Sequence, residues 1–218
     1  MKAVLWDFDG TIVNTEVVWI GVEREILAGY GVELPDEVAH ALAGTSMAVT
    51  QERVASLIPG RPLCPEQVGE RIVAGVLRVI EGSELPFQPG ALELLGELAD
   101  EGVPAALVST SPRALLNLAL GRIEKHPFLA VIGAEDAVEL KPHPEAYLTA
   151  MRRLGVDAHD VLIIEDSLVG VAAATASGGV VLAVPDQVPV PDGPNRVVLD
   201  SLAGVRVDDL RTMWRDNR

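Results

Sequence analysis

The chain has 218 residues, a formal net charge of −15 at pH 7 and 49% hydrophobic residues, so it can bury a substantial core. The acidic balance, without a basic stripe, argues against a nucleic-acid partner, and no stretch approaches the roughly 20 apolar residues of a membrane span. Cys64 is the only cysteine, so no internal disulfide can form. The first residues run into a strand-like pattern without a signal-peptide layout. The single cysteine and this start of the sequence together predict a cytoplasmic protein.

The first predicted element is a strand over residues 3–8, and a long region with helical patterns follows it. Val18, Val22 and Ile26 recur at helical spacing, and Pro65 stands at the start of a further helix. We therefore expect residues 14–84 to be all-helical. Within this region Cys64 is expected to be buried.

From residue 85 onward, helical patterns alternate with short apolar strands. The strands lie in the segments PAALVST, LAVIGAE, DVLIIED and VVLAVP, and the tail predicts an edge strand and a last helix. Continuous Val/Ile/Leu runs between helices are typical of a parallel sheet covered on both faces. The sequence predicts an α/β fold, a doubly wound parallel sheet with a Rossmann-like core over residues 1–13 and 85–218, with residues 14–84 inserted as an all-helical cap domain.

Two carboxylates end the first strand, in the stretch VLWDFDGT. The two-residue period of a strand places Asp7 and Asp9 on one side and Trp6 and Phe8 on the other. Like charges on a mostly buried strand repel and resist desolvation. A divalent cation is the usual reason for such an arrangement.

Polar residues also follow the other predicted strands. Ser109-Thr110-Ser111 ends one strand, Glu165-Asp166-Ser167 ends another, and Lys141 precedes a helix start between them. In an open parallel sheet these positions meet at the carboxyl edge, where ligands bind. Each could separately be a helix cap or a loop charge, but their coincidence at one edge favours a functional site.

The segments DFDGT, VST, LKPHPEAY and IIEDS resemble, in this order, the four motifs of the haloacid dehalogenase-like hydrolases. The insertion after the first motif is similar to the helical cap of the subgroup that contains beta-phosphoglucomutase and phosphoglycolate phosphatase. The resemblance covers essentially the whole chain.

The resemblance implies a set of catalytic roles. Asp7 would attack the substrate phosphorus and form an aspartyl-phosphate. Asp9 would protonate the leaving oxygen and then activate water. Ser109 would donate its hydroxyl to a phosphoryl oxygen, near the Thr110 N–H, and Lys141 would offset negative charge.

The resemblance also implies a Mg²⁺ site. Asp7, the Asp9 backbone carbonyl and Asp166 would hold the ion, with Glu165 close to it or ligating it. Mg²⁺ prefers such oxygen ligands. The turn at Gly10-Thr11 lets the chain leave the strand tightly, with N–H groups near the phosphate.

The family includes several reactions, and the residues discriminate among them. Asp9, which dehalogenases lack, argues against dehalogenation, and the absence of lysine between Asn14 and Glu84 argues against a Schiff-base phosphonatase. Trp19 and Met47 stand where beta-phosphoglucomutase carries a histidine and an arginine. We therefore expect a phosphatase. A mutase-like phosphotransferase and a non-catalytic metabolite-binding protein remain the alternatives.

The substrate would be a small phosphorylated metabolite, such as a sugar phosphate or a similar phosphomonoester. Trp19, Gly44, Thr45 and Ser46 are the cap residues predicted to face its leaving group. We expect a monomer with no nucleic-acid or membrane partner.

Overall fold

The computed structural model describes residues 1–42, 45–186 and 188–218, with the backbone alone for His40. These residues form two compact units, one of residues 1–14 and 86–218 and one of residues 15–85. The helices are α1 (Glu16–Ala28), α2 (Asp36–Leu42), α3 (Met47–Leu57), α4 (Pro65–Gly82), α5 (Ala91–Asp100), α6 (Arg113–Leu120), α7 (Glu145–Leu154), α8 (Leu168–Ser177) and α9 (Val207–Asp216). None of the described helices has the length and apolar character needed to cross a bilayer.

The first unit is built on a parallel sheet. Its strands are β1 (Ala3–Trp6), β2 (Ala105–Val108), β3 (Phe128–Ile132), β4 (Val161–Glu165), β5 (Val180–Ala183) and β6 (Arg196–Val198). All residues of β1, β2, β4 and β5 are buried, whereas β3 and β6 at the two edges are partly exposed. Burial on both faces explains why the inner strands are continuous apolar runs instead of alternating ones.

The strand order is β3-β2-β1-β4-β5-β6. The chain builds outward from β1 to β3, then returns beside β1 and builds outward in the other direction through β4 to β6. This confirms the predicted doubly wound α/β class. The order reverses between β1 and β4, and the crevice at the carboxyl ends of two such strands is where open α/β sheets bind ligands.

Helices cover the sheet. Helices α7 and α8 pack on the face that carries Leu5, Val108 and Ile163, with Tyr147 and Met151 buried in that layer. Helix α9 packs against β4 and α5. The strands are thus held in place by packed layers, and the polar residues that follow β1, β2 and β4 are carried on a rigid support.

The second unit contains the helices α1 to α4 and no strand among its described residues. Helices α1, α3 and α4 contact one another in pairs. Val68, Ile72, Val76 and Ile80 form a stripe of buried residues along α4, one per helical turn. The prediction that Cys64 is buried is wrong: it is exposed, because it is the N-cap of α4 and lies outside this stripe.

Candidate active site

The predicted site residues that follow β1, β2 and β4 come together at the carboxyl edge of the sheet. Strand β1 ends at Trp6, two residues earlier than predicted, but the Asp7 N–H still donates to the Ile164 carbonyl at 3.0 Å. The Ser109 N–H donates to the Ile132 carbonyl at 3.0 Å in the same way. The backbone at both positions therefore remains anchored to the sheet.

Lys141 connects the ends of three strands. Its Nζ lies 2.6 Å from Asp7 Oδ1 and 2.6 Å from Glu165 Oε1, and it donates to the Val108 carbonyl at 3.1 Å. The side chain is only 6% exposed. Burial alone would lower the pKa of Lys141, but the carboxylates of Asp7 and Glu165 outweigh it and raise the pKa well above its usual range. Lys141 is therefore a fixed positive charge at physiological pH.

Three carboxylates form a cluster that fits a cation. Asp7, Glu165 and Asp166 each place one oxygen within 4.8 Å of the others. Burial, and then the charge of Glu165, raises the pKa of Asp7 well above its usual range and that of Asp166 to about 8. A divalent cation would lower both pKa values again, because it favours the ionised form of both groups.

The oxygens of this cluster differ in their partners. Asp7 Oδ2 is buried and accepts no hydrogen bond from any described residue. Both oxygens of Glu165, in contrast, accept hydrogen bonds. Oε1 accepts from Lys141 and the Tyr147 hydroxyl, and Oε2 accepts from the Asp166 N–H. A buried acceptor without a donor is costly unless something else binds it. The donor set of Asp7 and Asp166 thus fits a hard divalent cation.

Asp9 is held by two serine hydroxyls. The Oγ atoms of Ser109 and Ser111 both donate to Asp9 Oδ2 at 2.7 Å, and the Ser111 N–H donates to Ser109 Oγ at 2.8 Å. Both serines are buried. Sequence reasoning did not give Ser111 a role, although the two-residue spacing from Ser109 matches that between Asp7 and Asp9. Thr110, between the two serines, is exposed.

The turn after Asp9 packs directly against Asp166. Gly10 has a φ of 88°, and a Cβ there would lie 2.2 Å from Asp166 Oδ2. Thr11 is buried, and its hydroxyl donates to Asp166 Oδ1 at 3.3 Å. Glycine is required at this position both by the left-handed backbone and by the close approach of the carboxylate.

Glu165 is fully buried, and its surroundings come from two helices. Ser167 is the N-cap of α8, and its Oγ accepts from the Gly170 N–H at 3.0 Å. A Cβ on Gly170 would lie 2.0 Å from Glu165 Oε1, so the first turn of α8 closes over this carboxylate. Tyr147 of α7 donates to it from the other side. Sequence reasoning gave Tyr147 no part in the site.

The predicted cap residues belong to the second unit. Trp19 is half-buried on α1. Thr45 donates to the Leu42 carbonyl at 2.7 Å, and Ser46 is the N-cap of α3, so both have local structural contacts. Gly44 lies outside the described residues.

The sequence matches the haloacid dehalogenase-like hydrolase family over residues 4–184. The chain belongs to this family. The resemblance drawn from the four motifs is therefore confirmed.

Two relatives show the range of similar proteins. The bifunctional riboflavin kinase/FMN phosphatase of Arabidopsis thaliana is 33% identical over 84% of this chain and 48% of its own length. The chain thus spans about half of that protein. Hexitol phosphatase B of Escherichia coli O157:H7 is 28% identical over 95% of this chain and 96% of its own length.

Among solved structures, CbbY from Rhodobacter sphaeroides in complex with phosphate is similar, with a TM-score of 0.83 and 24% identity. The match covers 97% of this chain and 99% of that one. This likeness concerns the fold.

Proposed function

We propose that the protein is a Mg²⁺-dependent phosphatase that hydrolyses a small phosphorylated metabolite through an aspartyl-phosphate. The observation that carries this proposal is the Asp7 carboxylate, which has one oxygen on Lys141 and the other buried without a hydrogen-bond donor among the described residues. Asp9 stands two residues away, held by serine hydroxyls. A nucleophile beside a positioned acid/base is the arrangement that covalent phosphoryl transfer requires.

In the first step an Asp7 oxygen forms a bond to phosphorus while the bond from phosphorus to the leaving oxygen breaks. Asp9, protonated at this stage, gives its proton to the leaving oxygen. Ser109 turns its hydroxyl from Asp9 to a phosphoryl oxygen, and Lys141 offsets the charge that the phosphoryl group brings next to Asp7.

In the second step water attacks the aspartyl-phosphate. Asp9, now ionised, takes a proton from this water as its oxygen bonds to phosphorus. The bond from phosphorus to the Asp7 oxygen breaks, and inorganic phosphate and the free Asp7 carboxylate result. The same residue thus acts first as the acid and then as the base.

Asp7, Asp166 and the Asp9 backbone carbonyl would hold the Mg²⁺, with Glu165 next to them. The ion supplies charge stabilisation to the phosphoryl oxygens when bound. Glu165 is better placed to orient Lys141 than to ligate, because both its oxygens already accept hydrogen bonds.

The names of the relatives guide the proposed substrate. One relative is named as a hexitol phosphatase and the other as a riboflavin kinase/FMN phosphatase. We therefore take a sugar phosphate or a similar phosphomonoester as the substrate class.

The test measures phosphate release from a panel of phosphorylated metabolites, with Mg²⁺ and with a chelator, by the wild-type chain and by Asp7→Asn. We expect metal-dependent release from a few substrates and a loss of at least about 10³-fold in Asp7→Asn. Asp157→Asn, an exposed aspartate of the same unit, is the matched control and should keep wild-type activity.

Two other outcomes would overturn the proposal. A folded Asp7→Asn variant with full turnover would exclude the aspartyl-phosphate. No release from any substrate would redirect the assay to isomerisation of a hexose 1-phosphate in the presence of a bisphosphate, which would indicate the mutase, or to binding alone.

A further inference from the structure

Gln88 lies outside the four motifs, in the segment that enters the first unit before α5. Its side-chain Nε2 donates to the Gly10 carbonyl at 2.8 Å and to Asp186 Oδ1 at 3.3 Å. Its backbone N–H donates to the Ile12 carbonyl at 2.8 Å. One residue therefore contacts the turn after Asp9 twice, once through its side chain and once through its backbone.

The orientation of the Gln88 amide follows from its partners. The Gly10 carbonyl and the Asp186 carboxylate are both acceptors, so the group between them must be the NH₂ and not the amide oxygen. Asp186 therefore fixes which end of the amide faces Gly10. A carboxylate in place of this amide would meet two acceptors and could donate to neither.

The backbone around Gln88 is itself firmly placed. Pro89 follows it, and Gly90 has a φ of 85° with a Cβ position only 2.1 Å from the Leu202 carbonyl oxygen. Gln88, Asp186, Ser201 and Leu202 line one cleft of about 320 Å³ together with Gly10 and Thr11. The donor that reaches Gly10 thus comes from a segment with little freedom to move.

The hydrogen bond to the Gly10 carbonyl helps to orient the turn, because it fixes one of the two peptide planes that flank Gly10. The Gly10 N–H donates to the Val13 carbonyl at 2.8 Å, which fixes the plane that contains the Asp9 carbonyl. Gln88 fixes the next plane, which leads to Thr11 and its bond to Asp166. The two hydrogen bonds together define the direction of the Asp9 carbonyl and the position of the turn against Asp166.

We propose that Gln88 is a positioning residue, which holds the Gly10 turn so that the Asp9 carbonyl and Asp166 face the same cation. This inference rests on the proposed Mg²⁺-dependent function. It gives a residue outside the motifs the role of orienting two metal ligands. Substitution of a residue that orients a metal ligand typically lowers metal affinity or activity by about 10- to 100-fold.

The experiment measures Mg²⁺ binding by calorimetry on the full chain without substrate, for the wild type, Gln88→Met and Gln88→Glu. We expect Gln88→Met, which removes the donor without adding a charge, to weaken Mg²⁺ binding about 10-fold. Gln88→Glu keeps the length of the side chain and also removes the donor, but its negative charge attracts the cation, so we expect it to weaken Mg²⁺ binding less than Gln88→Met does. Ser201→Ala, in the same cleft, should bind as the wild type does.

Kinetics at saturating Mg²⁺ provide the second readout. If Gln88 has a positioning role, its substitution lowers kcat and changes the KM for the phosphoester by less than about twofold. If Gln88 has a purely structural role, its substitution lowers the midpoint of thermal unfolding in chelator and leaves the Mg²⁺ affinity unchanged. That result would overturn the inference.

The two proposals fail in different ways. If the wild type binds Mg²⁺ and releases phosphate while both Gln88 variants match it, the inference on Gln88 is wrong and the proposed function stands. If the wild type neither binds Mg²⁺ nor releases phosphate, the proposed function fails and the inference fails with it.

Discussion

At the scale of single residues, the site depends on a few close approaches that leave no space for a larger side chain. Gly10 is the clearest of these, because its backbone is left-handed and Asp166 occupies the space that a Cβ would take. The backbone strain of a non-glycine residue costs about 1–3 kcal/mol. The displacement of Asp166 adds to that cost and also disturbs a proposed ligand.

We expect Gly10→Ala to lose stability by about 2 kcal/mol or more and to lose nearly all phosphate release. Gly102→Ala is the matched control, since Gly102 also has a positive φ, 65°, but no atom within 4 Å of its Cβ position. Chemical denaturation and the phosphate assay measure the two effects. If both variants lose the same free energy of unfolding and keep their activity, the close contact between Gly10 and Asp166 is not needed for function.

The residue scale is also where sequence reasoning reached its limit. The approach of Asp7, Asp9, Lys141 and Asp166 to one another could be predicted, because residues that follow parallel strands meet at the carboxyl edge of the sheet and because the four motifs resemble those of the family. The hydrogen bond from Ser111 to Asp9 could not, since serine near a helix start has an ordinary role as a cap. The contact of Gln88 with Gly10 joins residues 78 positions apart, and no local pattern indicates it.

At the scale of elements, the packing of α1 on α4 in the helical unit depends on Gly75. A Cβ there would lie 2.5 Å from Val22 Cγ1, so the glycine lets the two helices approach closely. Alanine would favour the helix by about 1 kcal/mol, but overpacking costs about 1–3 kcal/mol. The unfavourable effect should therefore be the larger one.

We expect Gly75→Ala to lower the stability of the chain by about 1 kcal/mol. Gly82→Ala, at the end of the same helix and with no atom within 4 Å of its Cβ position, should be neutral or slightly stabilising. The midpoints of urea unfolding compare the two variants. Equal or higher stability of Gly75→Ala would show that Val22 adjusts without cost.

The elements themselves were largely predictable, for a physical reason. Strands β1, β2, β4 and β5 are buried on both faces, so their sequences are unbroken apolar runs bounded by helices. The predicted ends differ from the observed ones by up to three residues, because the predicted segments include residues that follow the last ladder pair. The expected burial of Cys64 failed because an N-cap is set by the helix start and not by the apolar period.

At the scale of the whole molecule, the acidic cluster links stability to pH and to the cation. The pKa values of Asp7 and Asp166 are raised by folding, that of Asp166 from 3.8 to about 8. The unfolded chain releases these protons at lower pH than the folded chain does. Without a cation, stability therefore falls as the pH rises from about 4 toward about 8.

We expect Mg²⁺ to offset this loss, because it favours the ionised carboxylates. In chelator the midpoint of thermal unfolding should fall between about pH 5 and pH 8, and Mg²⁺ should raise it far more at the higher pH. At 100 times the dissociation constant the gain is about 2.7 kcal/mol. A sodium salt of equal ionic strength is the control, and a gain that does not depend on pH would contradict the linkage.

The sharing of Lys141 between Asp7 and Glu165 has a consequence for the order in which the enzyme is assembled. When Asp7 and Asp166 are ionised, as the reaction requires of the nucleophile, one ammonium group stands against the three carboxylates of the acidic cluster, and in that state the site repels a phosphoester for as long as it holds no cation. The proposed reaction is therefore an ordered one, in which metal binds before substrate and phosphate departs before metal. In this scheme the supply of the cation, and not only that of the phosphoester, determines how much of the enzyme is competent to bind its substrate.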